Sequence, residues 1–195
     1  MIYGEKIMLR YARLDERKHV YEMGISTEIL RNSNDENLST LQDFEDDYTD
    51  GYFDGRNAAD YAGLMICPVG KPEKPVGFIS YGGDEYLKPG TMELDIWMDG
   101  EQSCGKGFGV EAIVLLMEQL NREYNVAMFF MCPHKVNTRA IRAYEKAGLA
   151  VVGEQDRIGV VKSLYTDEGF NDLARDGEAL GEKYVFMVKR LGDNV

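Results

Sequence analysis

The sequence predicts an α/β fold in one continuous domain over residues 1–195. Short apolar stretches of strand length alternate with longer segments whose apolar residues recur at helical spacing. No internal repeat and no low-complexity linker divides the chain. A glycine-spaced run, Cys104-Gly105-Lys106-Gly107-Phe108-Gly109, opens a strongly amphipathic helix. A chain of this length is large enough to bury a core of its own.

The elements follow in order. Residues 5–12 alternate as a strand with Ile7 and Leu9 on one side. Residues 14–30 have helical spacing, with Val20, Met23 and Ile29 among the inward positions. Residues 39–53 predict a shorter helix broken near Gly51. Residues 61–69 and 75–81 predict adjacent strands, because Gly70-Lys71-Pro72-Glu73-Lys74 between them has hairpin turn chemistry. Residues 92–98 are the fourth strand. Its alternation puts Glu93, Asp95 and Trp97 on one face and Met92, Leu94, Ile96 and Met98 on the other, under helices. Residues 107–124 form a long helix with Val110, Ile113, Val114, Met117 and Leu120 at helical spacing. Residues 127–132 are short and continuously apolar, which predicts a central strand. Residues 137–147 are helical and end on Gly148. Residues 150–154 and 184–189 complete a sheet of about seven strands. Residues 155–183 between them read as a long polar loop.

Composition restricts the function. The chain carries 34 acidic and 22 basic residues, a formal charge of −12. That excess argues against nucleic acid, whose binding depends on Lys and Arg neutralising phosphates. No apolar run approaches the roughly 18 residues of a membrane span, and residues 1–6 lack the pattern of a signal peptide. Cys67, Cys104 and Cys132 are odd in number and form no CxxC pair. They read as reduced thiols in a cytoplasmic protein, not as a disulfide frame or metal site. The acidic excess concentrates in residues 35–61. There Asp35, Glu36, Asp43, Glu45, Asp46, Asp47, Asp50, Asp54 and Asp60 interleave with Tyr48, Tyr52, Phe53 and Tyr61. Such a run is either a solvated face or a surface that attracts cations and packs against their carbon skeletons.

Three groups of residues can carry chemistry. Alternate glycines at 105, 107 and 109 let the backbone turn sharply and leave its amides open to an anion, at the positive end of the helix that follows. A plain strand-to-helix turn is the commoner use of such glycines. Neither a P-loop nor a Rossmann fingerprint is present. Asn137 and Tyr144 stand about two helical turns apart on one helix, suiting a ligand amide and a leaving atom. The alternatives are an N-cap for Asn137 and a core ring for Tyr144. Glu93 and Asp95, beside Trp97, are candidates to take a proton from an ammonium group, since neighbouring like charges raise a carboxyl's pKa. The alternative is the polar side of a half-exposed sheet. His134 follows Pro133 at a strand end and reads as inert, and Cys132 as core packing.

The element order resembles the GNAT superfamily of N-acetyltransferases, most strongly over residues 92–153. Residues 105–109 resemble its pyrophosphate loop, Q/R-x-x-G-x-G/A, except that the Q/R position falls on Cys104 while Gln102 is out of register. Asn137, Ala140, Tyr144 and Gly148 resemble its N-x-x-A-x-x-x-Y-x-x-x-G motif. The resemblance implies a mixed, mostly antiparallel sheet flanked by helices and splayed between the fourth and fifth strands. It implies acetyl-CoA as cosubstrate, no metal, and an acetyl-CoA-binding core over residues 104–148. Within that core, Cys104, Gly105, Lys106, Gly107, Phe108, Gly109, Asn137 and Arg142 would bind the cosubstrate, joined by the backbone of Ile96, Trp97 and Met98. Tyr144 would protonate the thiolate, Asp95 ahead of Glu93 would take the amine's proton, and backbone amides at residues 96–98 would meet the oxyanion.

Residues 137–148 are similar to aminoglycoside 6′-N-acetyltransferases. The acidic segment at 35–61 then becomes the acceptor side, with Asp46, Asp47, Tyr48, Tyr52 and Trp97 as contacts for a small cationic amine, an aminoglycoside or polyamine. N-terminal acetyltransferases of ribosomal proteins share the architecture and are the alternative. A CoA-binding sensor without turnover is a reading of another class, suggested by Cys104. Residues 155–183 could cover the acceptor, move as a loop, or form the contact of a homodimer.

Overall fold

The structure, a computed structural model, describes residues 1–26, 40–83, 85–176 and 183–192. Its sheet has eight strands: β1 Ile2–Tyr3, β2 Ile7–Tyr11, β3 Tyr61–Pro68, β4 Gly77–Gly82, β5 Thr91–Met98, β6 Met128–Met131, β7 Ala150–Val151 and β8 Met187–Arg190. They lie in the order β1-β2-β3-β4-β5-β6-β8-β7. The β1–β2, β2–β3, β6–β8 and β7–β8 pairs are antiparallel and β5–β6 is parallel. The sheet is therefore mixed, mostly antiparallel, and places the apolar β6 inside it. The β5–β6 register runs from Thr91 opposite Met128 to Glu93 opposite Phe130. The rest of β5, to Met98, lies beyond that register, and this is the splay after the fourth strand of the sequence reading. The count of about seven is corrected by β1. Two residues are too short to show alternation, and the strand forms because Gly4 turns the chain, its N–H donating to the Ile7 carbonyl at 2.9 Å.

Among the described residues the helices are α1 Arg17–Gly24, α2 Leu41–Asp47, α3 Phe108–Tyr124, α4 Thr138–Lys146, α5 Glu154–Leu164 and α6 Asp167–Asp176. The chain condenses into two compact units, residues 1–81 with 95–116 and residues 82–94 with 117–195. In the first, Met8, Ala12, Val20, Met23, Phe44, Phe53, Met65, Cys67, Phe78 and Trp97 form one apolar cluster. In the second, Leu87, Phe130, Val152, Val161, Leu164 and Phe186 form another. None of the helices among the described residues is long and apolar enough to cross a membrane.

Residues 155–183 are corrected most. Where a polar loop was expected, α5 and α6 occupy 154–176; residues 177–182 lie outside the described residues. The buried row of α5 is Arg157, Val161 and Leu164, while Ile158 is exposed. A cation on the inward face and an isoleucine outside hide the helical period from a hydrophobicity reading. Tyr165 then packs on Phe130 with ring centroids 5.8 Å apart, and Thr166 N–H donates to the Tyr86 carbonyl at 2.7 Å.

The first predicted helix is also shorter. A 3-10 turn at Leu14–Glu16 precedes α1, which ends at Gly24. Ile29, and the start of the second predicted helix at 39, lie outside the described residues. The predicted break near Gly51 falls earlier, at Tyr48, whose backbone leaves helical values at φ −101°, ψ 74°. Gly51 sits inside a second 3-10 turn, Asp50–Tyr52.

One part-buried ion pair organises the entry to α1. Arg10 on β2 donates from Nη1 and Nη2 to both carboxylate oxygens of Glu16, each at 2.7 Å, and from Nε to the Pro72 carbonyl at 2.9 Å. Burial alone would push the Glu16 carboxyl up. The Arg10 hydrogen bonds, the Arg13 amide and both guanidinium charges outweigh it and hold the carboxyl below its usual range. Its stabilising contribution is thus fully present above the ordinary glutamate value of about 4.3 and is lost as pH falls through the lower folded value. Glu16→Gln leaves Arg10 buried without its counter-charge, and is expected to cost about 3 kcal/mol in urea unfolding at pH 7. The cost should shrink as both proteins are titrated into acid.

Candidate active site

The first unit contains both a turn suited to phosphate and a cluster suited to an amine. The turn begins where β5 ends. Gly100 takes φ +65°, its N–H donates to Ser26 Oγ at 2.9 Å, and Gln102 Nε2 donates to the Asp99 carbonyl at 2.7 Å. Gln102 thus holds the turn together rather than replacing the absent Q/R residue. A 3-10 turn at Glu101–Ser103 leads to Cys104, whose thiol faces the Gly100 carbonyl at 3.5 Å. Gly105 and Gly107 take φ +73° and +84°, values costly for any residue with a Cβ. A Cβ on Gly105 would meet nothing within 4 Å, so its backbone has an open side.

Phe108 then opens α3, whose first amides have no intrahelical acceptor. Gly109 lies close over the inner face of β5, where a Cβ would stand 3.5 Å from Met98 Sδ and 3.6 Å from Ile96 Cδ1. Lys106 is exposed. The sequence reading missed Lys6. A Cβ on Gly107 would stand 3.4 Å from its ammonium, and its own N–H donates to Glu111 Oε1 at 3.0 Å. No motif spacing could have singled out a lysine about a hundred residues upstream of the loop; only the packing of the N-terminal strands against α3 places it there.

The amine-side cluster is built on α2. Thr40 caps this helix, accepting from Asp43 N–H at 3.1 Å, while the Asp43 carboxylate accepts from Thr40 N–H at 3.1 Å. The capped helix buries Phe44 and delivers Tyr48 at its end. Tyr48 stacks on Phe44 with centroids 4.8 Å apart and meets Trp97 edge-on at 5.5 Å and Phe78 at 6.0 Å. Tyr52 lies 5.0 Å from Tyr48 and 4.8 Å from Tyr61. The Tyr48 hydroxyl donates to Asp95 Oδ2 at 2.9 Å and lies 3.4 Å from Ser80 Oγ. Burial, and then the negative charge of Asp95, push this hydroxyl well above its usual value, so it stays a proton donor.

Glu93 and Asp95 are exposed on β5 while Thr91, Met92 and Leu94 are buried. Asp95 Oδ1 also accepts from Ile96 N–H at 2.8 Å, so that amide, one of those expected to meet an oxyanion, is already engaged. Trp97 is only 4% exposed and donates from Nε1 to the Val20 carbonyl at 3.1 Å. Its ring is the floor of the cluster, with no face turned to solvent.

Much of the acidic run has work within the fold. Asp43 caps α2, Asp50 pairs with Arg17, Asp54 pairs with Arg56 at 3.2 Å, and Asp46 accepts from Gln42 at 3.0 Å. Asp46 and Asp47 are exposed at the end of α2. Asp35 and Glu36 lie outside the described residues.

In the second unit, Asn137 caps α4, its Oδ1 accepting from Ala140 N–H at 3.1 Å. The cap uses the side-chain carbonyl and leaves the NH2 group its donor character. Tyr144 is the buried residue of α4, Arg142 is exposed, and Gly148 ends the helix at φ +91°. His134 packs edge-on against Tyr184 at 5.5 Å and accepts from Val136 N–H at 3.3 Å through Nδ1.

The family model described as the acetyltransferase (GNAT) domain matches residues 6–150. An aminoglycoside N(6′)-acetyltransferase type 1 from Klebsiella pneumoniae is 30% identical over 112 residues, 56% of this chain and 56% of that protein. A spermine/spermidine N(1)-acetyltransferase from Bacillus subtilis is 33% identical over 96 residues, 46% of this chain and 63% of its own. The chain thus spans somewhat over half the length of each. The solved structure of the aminoglycoside acetyltransferase AAC(6′)-Ib with coenzyme A superposes with a TM-score of 0.61 at 21% identity, covering 94% of both chains. At that identity the likeness is one of fold.

Proposed function

Because the chain belongs to the GNAT acetyltransferase family, we propose that it transfers an acetyl group from acetyl-CoA to a primary amine of a small polycation, an aminoglycoside-like sugar or a polyamine. In this reading residues 1–195 act as one acetyltransferase domain. The observation that carries the acceptor class is Asp95: an exposed carboxylate fixed by Tyr48 at the edge of the run Phe44, Tyr48, Tyr52 and Tyr61. A carboxylate beside aromatic faces attracts an ammonium by charge and then receives its carbon skeleton. The names of the Klebsiella and Bacillus relatives point to the same class.

The residues present fit a pyrophosphate. Gly105 and Gly107 keep side chains away from the turn, the first amides of α3 follow, and Lys6 and Lys106 supply positive charge without an Arg or Gln at position 104. Asn137 would meet the pantetheine amide with its NH2 group. When bound, acetyl-CoA supplies the activated acyl group. Asp95 accepts one proton from the substrate ammonium, and the freed amine forms the new N–C bond as the C–S bond breaks. Tyr144 gives its hydroxyl proton to the departing sulfur and regains one from the amide nitrogen, so the two protons the ammonium loses are both accounted for.

The test is thiol release from acetyl-CoA with kanamycin, spermidine and peptides with free N-termini as acceptors. Selective turnover of kanamycin or spermidine is the expected result. Turnover of peptides alone would move the protein to the N-terminal class, and binding of acetyl-CoA without turnover of any acceptor would favour a sensor. Tyr144→Phe is expected to lower kcat about a hundredfold with the affinity for acetyl-CoA little changed, measured by steady-state kinetics and calorimetric titration.

A further inference from the structure

We propose that Tyr48 is a positioning residue for catalysis, holding the Asp95 carboxylate in a single orientation through the hydroxyl hydrogen bond. The inference rests on the reading of Asp95 as proton acceptor. Asp95 stands on an exposed strand face, where a short carboxylate otherwise rotates freely. Here both its oxygens are engaged, Oδ1 by the Ile96 N–H at 2.8 Å and Oδ2 by the Tyr48 hydroxyl at 2.9 Å. Each carboxylate oxygen has two acceptor positions, so both bonds can persist while Asp95 receives a substrate proton.

What makes the hydroxyl an anchor is the rigidity of its ring. Tyr48 lies parallel to Phe44 within 17° and nearly perpendicular to Trp97, at 86°. Trp97 is itself fixed by its bond to the Val20 carbonyl. The chain of support therefore runs from α1 through Trp97 and Tyr48 to Asp95, entirely within the first unit. A hydroxyl that donates to a carboxylate favours its charged form. Removing the donor must move the ionisation of Asp95 to higher pH.

The other ionisable groups around the pair are few in kind. Tyr52 follows Tyr48 in the 3-10 turn and carries Tyr61 of β3 beyond it. Asp50 in the same turn is tied to Arg17 of α1, and on β4 the neutral Ser80 lies 3.4 Å from the Tyr48 hydroxyl. Asp46 and Asp47 are exposed on α2, and Glu93 shares the exposed face of β5 two residues before Asp95. Apart from Arg17, which is already paired, the charged groups among these are carboxylates. Neighbouring carboxylates disfavour ionisation of one another, and a hydroxyl donor works in the other direction.

The experiment uses the full chain and four variants, Tyr48→Phe, Asp95→Asn, the double variant and Ser80→Ala. The pH profile of kcat/KM is measured with kanamycin or spermidine, whichever is turned over, and thermal melting is followed alongside. Tyr48→Phe keeps the ring and its stacking. Its acid limb is expected to move up by about half to one pH unit, so that kcat/KM falls about three- to tenfold at pH values below the limb and is little changed on the plateau above it. In the Asp95→Asn background the same change should have no further effect on the profile, and Ser80→Ala should leave the acid limb in place. A hydroxyl bond that serves stability alone would lower the melting temperature and leave the limb unmoved. That result, with Asp95→Asn still inactive, overturns the role of Tyr48 while the acetyltransferase reading stands. Full activity of Asp95→Asn, or turnover of neither amine, overturns the reading and this inference with it.

Discussion

Asp95→Asn is expected to lower kcat/KM for the accepted amine by about 10²–10⁴-fold, the range of a positioned proton acceptor. The substitution is nearly isosteric: its one carbonyl oxygen can keep the bond from the Ile96 amide at the Oδ1 position, while its NH2 group at the Oδ2 position donates to the Tyr48 hydroxyl. The loss should therefore appear in turnover and much less in folding. Affinity for acetyl-CoA should change little, because Asp95 is distinct from the glycine turn at 105–107. Kinetics on the purified variant, with calorimetric titration of acetyl-CoA, measures both. Glu93→Gln is the comparison. Glu93 is exposed on the same face of β5, and if it were the principal acceptor the large loss would fall on it instead.

Trp97→Ala should cost about 3–5 kcal/mol of stability in denaturant unfolding, the range for truncating a large buried aromatic. Trp97 contacts Phe78 at 5.0 Å, Tyr48 at 5.5 Å and Phe44 at 6.3 Å between ring centroids, so its removal opens a cavity under the entire amine-side cluster. The Val20 carbonyl also loses the indole donor. Trp97→Phe, which keeps much of the apolar volume but not the N–H, should fall between, with the missing hydrogen bond accounting for about 1 kcal/mol. Because Tyr48 leans on this ring, both variants should also lose turnover beyond what reduced stability at the assay temperature explains. A stable Trp97→Ala protein with normal kinetics would show that the ring is not the floor described here.

The readable parts of this chain were those written in local pattern. Gly70 to Lys74 read as a hairpin turn, and the structure closes it with Lys71 N–H on the Pro68 carbonyl at 2.9 Å. The alternation of 92–98 placed Glu93 and Asp95 on one exposed face, since a strand gives its side chains no other choice. Asn137 and Gly148 bracketed α4 as cap and terminator. Trp97 shows the limit of the same reasoning. Alternation put it with the two carboxylates, yet its ring is in the core, because α1 and α2 cover that end of the strand and leave Asp95 at their margin. The α5 helix was missed for a related reason, its inward row carrying Arg157 where the pattern looks for an apolar residue.

The sequence by itself determined the family, the glycine turn, the order of the elements and the residue types available for proton transfer, because each depends on backbone preference or short-range spacing. Tertiary structure alone decided which acidic residues remain at the surface and which are taken up as caps and ion pairs. It also brought Lys6 to the glycine turn and Tyr48 to Asp95. The first pairing joins positions about a hundred residues apart and the second joins positions 47 apart, and contacts at such separations are fixed by packing of the core, which no local pattern encodes.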